Sequence, residues 1–206
     1  MRALGSVNLD AIEEYRAEKE RFSFMSAQIA DVEESKNSLH KLIAALTKEM
    51  IARFEENFSQ INRHFSRIFV DLFGGGKAAL SLTDPENVLE SGIDIQVAPP
   101  GKIINNLQSL SGGEQAFVAI AIYFAILTVH PSPFCILDEI EAALDDVNVN
   151  KYAAYLRTMS GETQFICITH RRGTMEEADV LYGVTMQEEG DSKLLKLDVS
   201  EVGSEF

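Results

Sequence analysis

Ser111-Gly112-Gly113-Glu114-Gln115 opens a long apolar stretch, and a serine followed by two glycines at a helix start leaves backbone N–H groups bare and aimed outward. The helix dipole favours negative charge at the same place, so the arrangement suits a phosphate. With Leu110 before them, these residues also fit a plain reading in which Ser111 is only an N-cap and the glycines only a turn. A second group of residues bears on that choice. Phe134-Cys135-Ile136-Leu137 is a continuous apolar run, the pattern of a parallel strand buried on both faces, and it ends in two adjacent carboxylates, Asp138 and Glu139. Ligands of open α/β sheets bind at such strand ends. Neighbouring residues of a strand point to opposite sides, so the two carboxylates must divide the work rather than share it. Glu141 follows closely, but only its spacing recommends it, and it is expected to be a surface acid.

The elements around these residues can be read from pattern. Ala116 to Val129 is apolar nearly all round but, at about 14 residues, falls short of the ~20 that span a bilayer, so a central buried helix is expected. Phe165-Ile166-Cys167-Ile168 is a further buried strand, and His170 stands just beyond its end; His40, His64 and His130 have no such setting and are assigned no role. After Asp145, Val149, Tyr152, Ala153 and Leu156 mark one helix face, closed by Ser160-Gly161. Val180 to Thr185 and Leu194 to Val199 read as strands around a Glu188-Glu189-Gly190-Asp191 turn.

Upstream, no proline occurs from Leu9 to about Phe69, and Phe22, Met25, Ile29, Val32, Leu39, Ile43, Leu46 and Met50 follow alternating three- and four-residue steps, with Lys36 as a polar interruption. That is a coiled-coil seam. The step from Met50 to Phe54 breaks phase, and Phe58, Ile61, Phe65, Ile68 and Leu72 resume it, a stutter that unwinds the supercoil locally. An ordinary helical hairpin is the alternative, but the sequence contains no second strand of the coil, so a partner helix must come from elsewhere. Gly74-Gly75-Gly76-Lys77 resembles a phosphate loop only superficially: Asp71 stands where a glycine is needed and Ala78 where a serine or threonine is needed. A turn between helix and strand is the better reading, with Asp84-Pro85 a further turn, Ile93 to Val97 a half-buried strand and Pro99-Pro100-Gly101-Lys102 a loop.

Composition sets outer bounds. At 206 residues and 46% hydrophobic content, one sizeable core plus a helical arm is expected. The net charge of −14 argues against a dominant nucleic-acid platform, so any DNA contact must be local or supplied by other parts. The two cysteines, Cys135 and Cys167, fall in apolar strands without metal-type spacing and read as small core residues of a reducing compartment. Without a basic-then-apolar leader the cytosol is the default expectation, and no membrane role is expected.

Leu110 to Gln115 with Phe134 to Glu139 resembles the signature and Walker B motifs of the ABC-type ATPases, with Ala143-Leu144-Asp145 similar to their D-loop and His170 at the place of their switch histidine. The tract from Arg171 to Met186, together with Val7 to Tyr15 and Leu72 to Lys77, looks like the SMC (structural maintenance of chromosomes) proteins, the bacterial condensin type above all. The resemblance covers nearly the whole chain. It implies an α/β fold, the C-terminal half of an ABC-type ATPase head with a parallel sheet core and a small β region, carried on a long N-terminal coiled-coil arm. The arm is expected over 1–66 and the C-terminal head lobe over 67–206.

The resemblance also implies roles. Asp138 holds Mg²⁺, through water; Glu139 orients and deprotonates the attacking water; His170 contacts the γ-phosphate of ATP; and Ser111, Gly112, Gly113 and Glu114 cap the γ-phosphate of ATP bound to the opposite subunit. Gln115 departs from the family, which more often has a basic residue there. The implied partners are the N-terminal head lobe, a second SMC head in a homodimer, a kleisin subunit, and DNA through the assembled complex. The implied function is ATP-driven chromosome condensation and segregation in the cytoplasm, on the nucleoid. No Walker A motif occurs in the chain, so alone it is expected to be inactive. The head of a coiled-coil DNA-repair ATPase and, with less in its favour, an ABC transporter ATPase domain are the alternatives.

Overall fold

A computed structural model describes residues 10–101, 107–188 and 190–199. Val7, Asn8, Leu9, Lys102 and Glu189, which figure in the sequence reading, lie outside them. Contacts divide the chain into two compact units, Met1–Arg53 and Phe54–Phe206.

Helix α1, Ala11–Phe73, runs through both. Glu13 and Glu14 in its first turn suit the dipole, and their N–H groups donate to the Asp10 carbonyl at 3.0 Å. In the first unit the seam residues Phe22, Met25, Ile29, Val32, Leu39, Ile43, Leu46 and Met50 are all exposed. In the second, the same spacing delivers Phe65, Ile68, Phe69 and Leu72 into the core, with Phe58 and Ile61 packed against it. Packing on the core therefore starts within the stretch the sequence assigned to the arm. Three left-handed glycines end the helix: Gly74 and Gly75 donate to the Val70 carbonyl, and a side chain on Gly76 would run into the Ala98 carbonyl.

Strands β1, Lys77–Leu82, and β2, Ile93–Ala98, form an antiparallel pair. The free edge of β1 is closed by α1, where the Asn62 amide donates to the Leu80 carbonyl at 3.0 Å and accepts from its N–H at 2.7 Å, in place of a strand neighbour. Asp84 builds the expected turn by accepting from the N–H groups of Glu86 and Asn87. A short 3₁₀ turn, Leu107–Ser109, leads into α2, Gly112–Val129.

Helix α2 is 18 residues long and passes as a membrane span by length and composition, longer than the sequence reading allowed because Gly112, Gly113, Glu114 and Gln115 belong to it. Phe117, Val118, Ile120, Ala121, Phe124, Ala125 and Leu127 are nonetheless buried, all but Leu127 in one core cluster with Tyr152 and with Phe69 of α1. Aromatic contacts run from Phe69, stacked on Phe73 with ring centroids 4.2 Å apart, on to Phe117, tilted against Phe73 at 4.9 Å.

Strand β3, Phe134–Asp138, pairs in parallel with β4, Gln164–Ile168, and α3, Asp146–Met159, crosses between them with Val149, Tyr152, Ala153 and Leu156 buried as the spacing predicts. The expectation of strands buried on both faces is corrected. Cys135 and Leu137 are buried, but Phe134, Ile136, Ile166 and Ile168 are about half exposed on the other side, because the chain supplies packing to one face only. Both cysteines are free, Cys135 buried and Cys167 half-buried. Tyr123 bonds to the Cys135 sulfur at 2.7 Å, which with burial pushes the phenol up to about 12. A short helix α4, Arg172–Glu176, follows, then the antiparallel pair β5, Val180–Glu188, and β6, Asp191–Asp198, with Gly190 left-handed in their turn.

Candidate functional site

The N-terminus of α2 is a complete capping box. Ser111, extended at φ −64° and ψ 157°, accepts through Oγ from the Glu114 N–H at 3.4 Å, while the Glu114 carboxylate accepts from the Ser111 N–H at 3.0 Å and hydroxyl at 2.9 Å. Gln115 folds back and donates to the Leu107 and Leu110 carbonyls at 3.2 and 3.0 Å, which fastens the 3₁₀ turn to the helix. The odd residue of the motif thus has a local bond to make. The two glycines differ. A Cβ on Gly112 would meet open space, whereas one on Gly113 would sit 2.8 Å from the Ala143 carbonyl. Gly113 is therefore needed for close packing against the turn at Ala143, and Gly112 leaves the helix end bare to whatever approaches it.

At the other corner, β3 ends on the exposed carboxylate of Asp138, and the chain turns through Glu139, the only non-glycine with positive φ among the described residues, at +48°. That backbone form costs about 1–2 kcal/mol for an L-residue. It still lets the Glu139 N–H reach the Ile168 carbonyl at 2.9 Å, one step beyond the strand ladder. Glu139 Oε1 lies 3.3 Å from His170 Nδ1, with both side chains more than half exposed. The two residues picked out from separate motifs are therefore brought together. Asp145 is the N-cap of α3, accepting from the Asn148 N–H at 2.8 Å, so its carboxylate has a structural duty as well. Arg171 Nη2 ties the two loops, donating to the Leu144 carbonyl at 2.8 Å and to Asp146 at 3.0 Å.

Glu141 overturns its expectation as a surface acid. It is 2% exposed, and one carboxylate oxygen accepts from both the Thr169 and Thr174 hydroxyls. It is buried because Ile140 and Leu144 on either side turn the short loop inward onto the core, and the threonines 28 and 33 residues away supply the hydrogen bonds. Its charge is felt nearby: the Cys167 thiol is pushed up, first by burial and then by Glu141. Nothing in the local sequence pairs Glu141 with those threonines, so spacing alone could not find it.

No three His, Cys, Asp or Glu side chains among the described residues are gathered to hold a metal ion unaided. A carboxylate that contributes one ligand to a cation shared with phosphates, as an exposed strand-end Asp138 can, requires no such cluster.

The sequence profile described as "RecF/RecN/SMC N terminal domain" matches residues 12–193. The chain belongs to the RecF/RecN/SMC family. Among relatives, the "Chromosome partition protein Smc" of Bacillus subtilis (strain 168) is 54% identical over 96% of this chain. The chain spans only 17% of that relative's length. Among solved structures, the Smc head domain with a coiled coil and joint from Pyrococcus yayanosii is 36% identical, with a TM-score of 0.75, over 98% of this chain and 39% of that one. The Smc head domain with an extended coiled coil from Pyrococcus furiosus, bound to the C-terminal domain of ScpA, is 36% identical with a TM-score of 0.73, over 94% of this chain and 48% of that one. The fold is similar to that of SMC head domains, and on it Glu139 is in contact with His170, with Asp138 exposed one residue before Glu139 at the end of β3.

Proposed function

We propose that this SMC chain is the C-terminal half of the ATPase head of a bacterial chromosome condensation and segregation protein, with a coiled-coil arm over 1–66 and the head lobe over 67–206. The observation that carries the reading is an open apolar face, Phe134, Ile136, Ile166 and Ile168, beside an assembled Glu139–His170 corner in a chain that lacks Walker A. A complementary lobe that brings the phosphate loop covers that face.

In the assembled head the chemistry is ATP hydrolysis. Asp138 would help to hold Mg²⁺, which when bound would supply neutralisation of charge on the phosphates. Glu139 orients the attacking water and takes its proton; its exposure and its place one residue past the strand end leave it free to do so. His170 faces the γ-phosphate. Ser111, Gly112, Gly113 and Glu114 present a helix N-terminus to the γ-phosphate held by a second head, so hydrolysis needs a dimer. A kleisin docks on this lobe, in keeping with the ScpA domain bound to the Pyrococcus furiosus head, and DNA is engaged by the whole complex in the cytoplasm.

Calorimetry and a phosphate-release assay test the reading. The chain alone should bind and hydrolyse no measurable ATP, and addition of the Walker A lobe should restore both. Ile136→Asp, on the open face, should block that restoration. Micromolar ATP binding by the chain alone, or an Ile136→Asp chain that is restored as well as wild type, would remove the half-site reading.

A further inference from the structure

We propose that Glu141 is a positioning residue for the reaction, whose buried carboxylate holds the segment carrying His170 in register with Glu139. The inference rests on the roles given above to Glu139 and His170. A single oxygen of Glu141 accepts from the hydroxyl of Thr169, the residue just before His170, and from that of Thr174 at 3.0 Å on α4. The Thr169 oxygen in turn accepts from the Arg171 N–H at 3.0 Å, so the chain on both sides of His170 is bound to one anchor. That anchor stands two residues after Glu139 in the same tight turn, where the Ala142 N–H donates to the Glu139 carbonyl at 3.0 Å and the Leu144 N–H to the Glu141 carbonyl at 2.9 Å. Any shift of Glu141 therefore moves Glu139 and His170 relative to each other.

Glu141 is not a second base. It is 2% exposed, and two hydroxyls already point their protons at it, so no attacking water reaches it. Nor is it half of an ion pair, since no Lys, Arg or His among the described residues lies within salt-bridge distance of it. A buried carboxylate held by hydroxyls alone is a costly anchor, kept where it sets the geometry of neighbours. The α2 end belongs to the same assembly, because Gly113 packs on the Ala143 carbonyl of this turn.

Steady-state hydrolysis and ATP affinity in the full-length protein test the proposal. Glu141→Ala should lower kcat by about ten- to a hundredfold, the scale of a small misplacement of reacting groups, with ATP affinity unchanged. Glu141→Gln keeps the accepting oxygen and should hold kcat within about threefold of wild type if acceptance, not charge or basicity, is what matters. Wild-type kcat in a folded Glu141→Ala protein overturns the proposal, and so does a Glu141→Gln protein as inactive as Glu139→Gln. Should Glu141→Ala fail to fold, Thr174→Val removes one donor at constant shape; kcat should drop and Thr174→Ser should restore it, whereas an unchanged kcat in Thr174→Val overturns the assignment. The His170 imidazole resonance is the readout a merely structural role leaves still. It should move in Glu141→Ala and in Thr174→Val but not in Leu156→Ala, a core truncation away from the segment. Wild-type hydrolysis in Glu139→Gln would count against the base assignment, while an unmoved His170 resonance in both Glu141→Ala and Thr174→Val counts against the positioning alone.

Discussion

The two corners of the site are finished to different degrees. At the signature corner, Ser111 and Glu114 satisfy each other, Gln115 holds the preceding turn, Gly113 is packed on Ala143 and Phe117 is fully buried one turn on. At the Walker B corner, Asp138 and Glu139 are exposed, Glu139 is left-handed, the contact to His170 is 3.3 Å long, and the strands behind them show half of their apolar residues to solvent. The first corner is closed by its own hydrogen bonds, as the proposed presentation of N–H dipoles to a partner's nucleotide requires. The second is open to solvent, as the proposed covering by another lobe requires.

The largest effect comes from breaking the finished corner. Ser111→Arg removes the cap and puts a long side chain at the helix end, so a homodimer of complete heads should lose hydrolysis while each head keeps its own ATP. Mixed with a head whose Walker A lysine is replaced, it should regain activity, because the heterodimer has one site with an intact Walker A and an intact signature. The other site carries both lesions. A signature working within its own head would leave each site with one lesion, so an inactive mixture with heterodimers demonstrably formed would overturn the trans arrangement.

A smaller effect separates the neighbouring glycines. Gly113→Ala forces apart the helix start and the Ala143 carbonyl, which should cost about 1–3 kcal/mol of stability and slow hydrolysis with it. Gly112→Ala, facing open space, should change unfolding of the head by less than about 0.5 kcal/mol. Equal costs at the two positions would mean that packing on Ala143 is not what Gly113 provides.

Much of this was legible in the sequence where one local rule decides the outcome. Ser-x-x-Glu announces a capping box, the period of Val149, Tyr152, Ala153 and Leu156 gives the buried face of α3, and three glycines after Phe73 stop a helix. What local pattern could not supply is the identity of the covering surface. Phe22 and Phe65 obey the same seam, yet one is exposed and the other buried, and Ile136 is as apolar as Leu137 but half open. Periodicity says which residues share a face and not what lies against it. Glu141 failed for the related reason that its hydrogen bonds come from Thr169 and Thr174, which only the parallel pairing of β3 with β4 brings near.

The smallest effect tests the strain at the unfinished corner. At ordinary positions alanine is more stable than glycine by about 0.5–1 kcal/mol, because glycine loses more backbone freedom on folding. At Glu139 the φ of +48° should reverse that order, since alanine keeps the left-handed penalty of about 1–2 kcal/mol and glycine sheds it. Glu139→Gly should therefore unfold at higher temperature than Glu139→Ala, by a few degrees at most, while neither hydrolyses ATP. Both variants lose the same carboxylate and the same contact to His170, so their difference reads the backbone alone. If Glu139→Ala is the more stable of the two, the turn relaxes without cost and holds no strain. The reversed order would mean that the fold spends stability to aim this carboxylate beyond the end of its strand, at the one place among the described residues where a non-glycine takes positive φ.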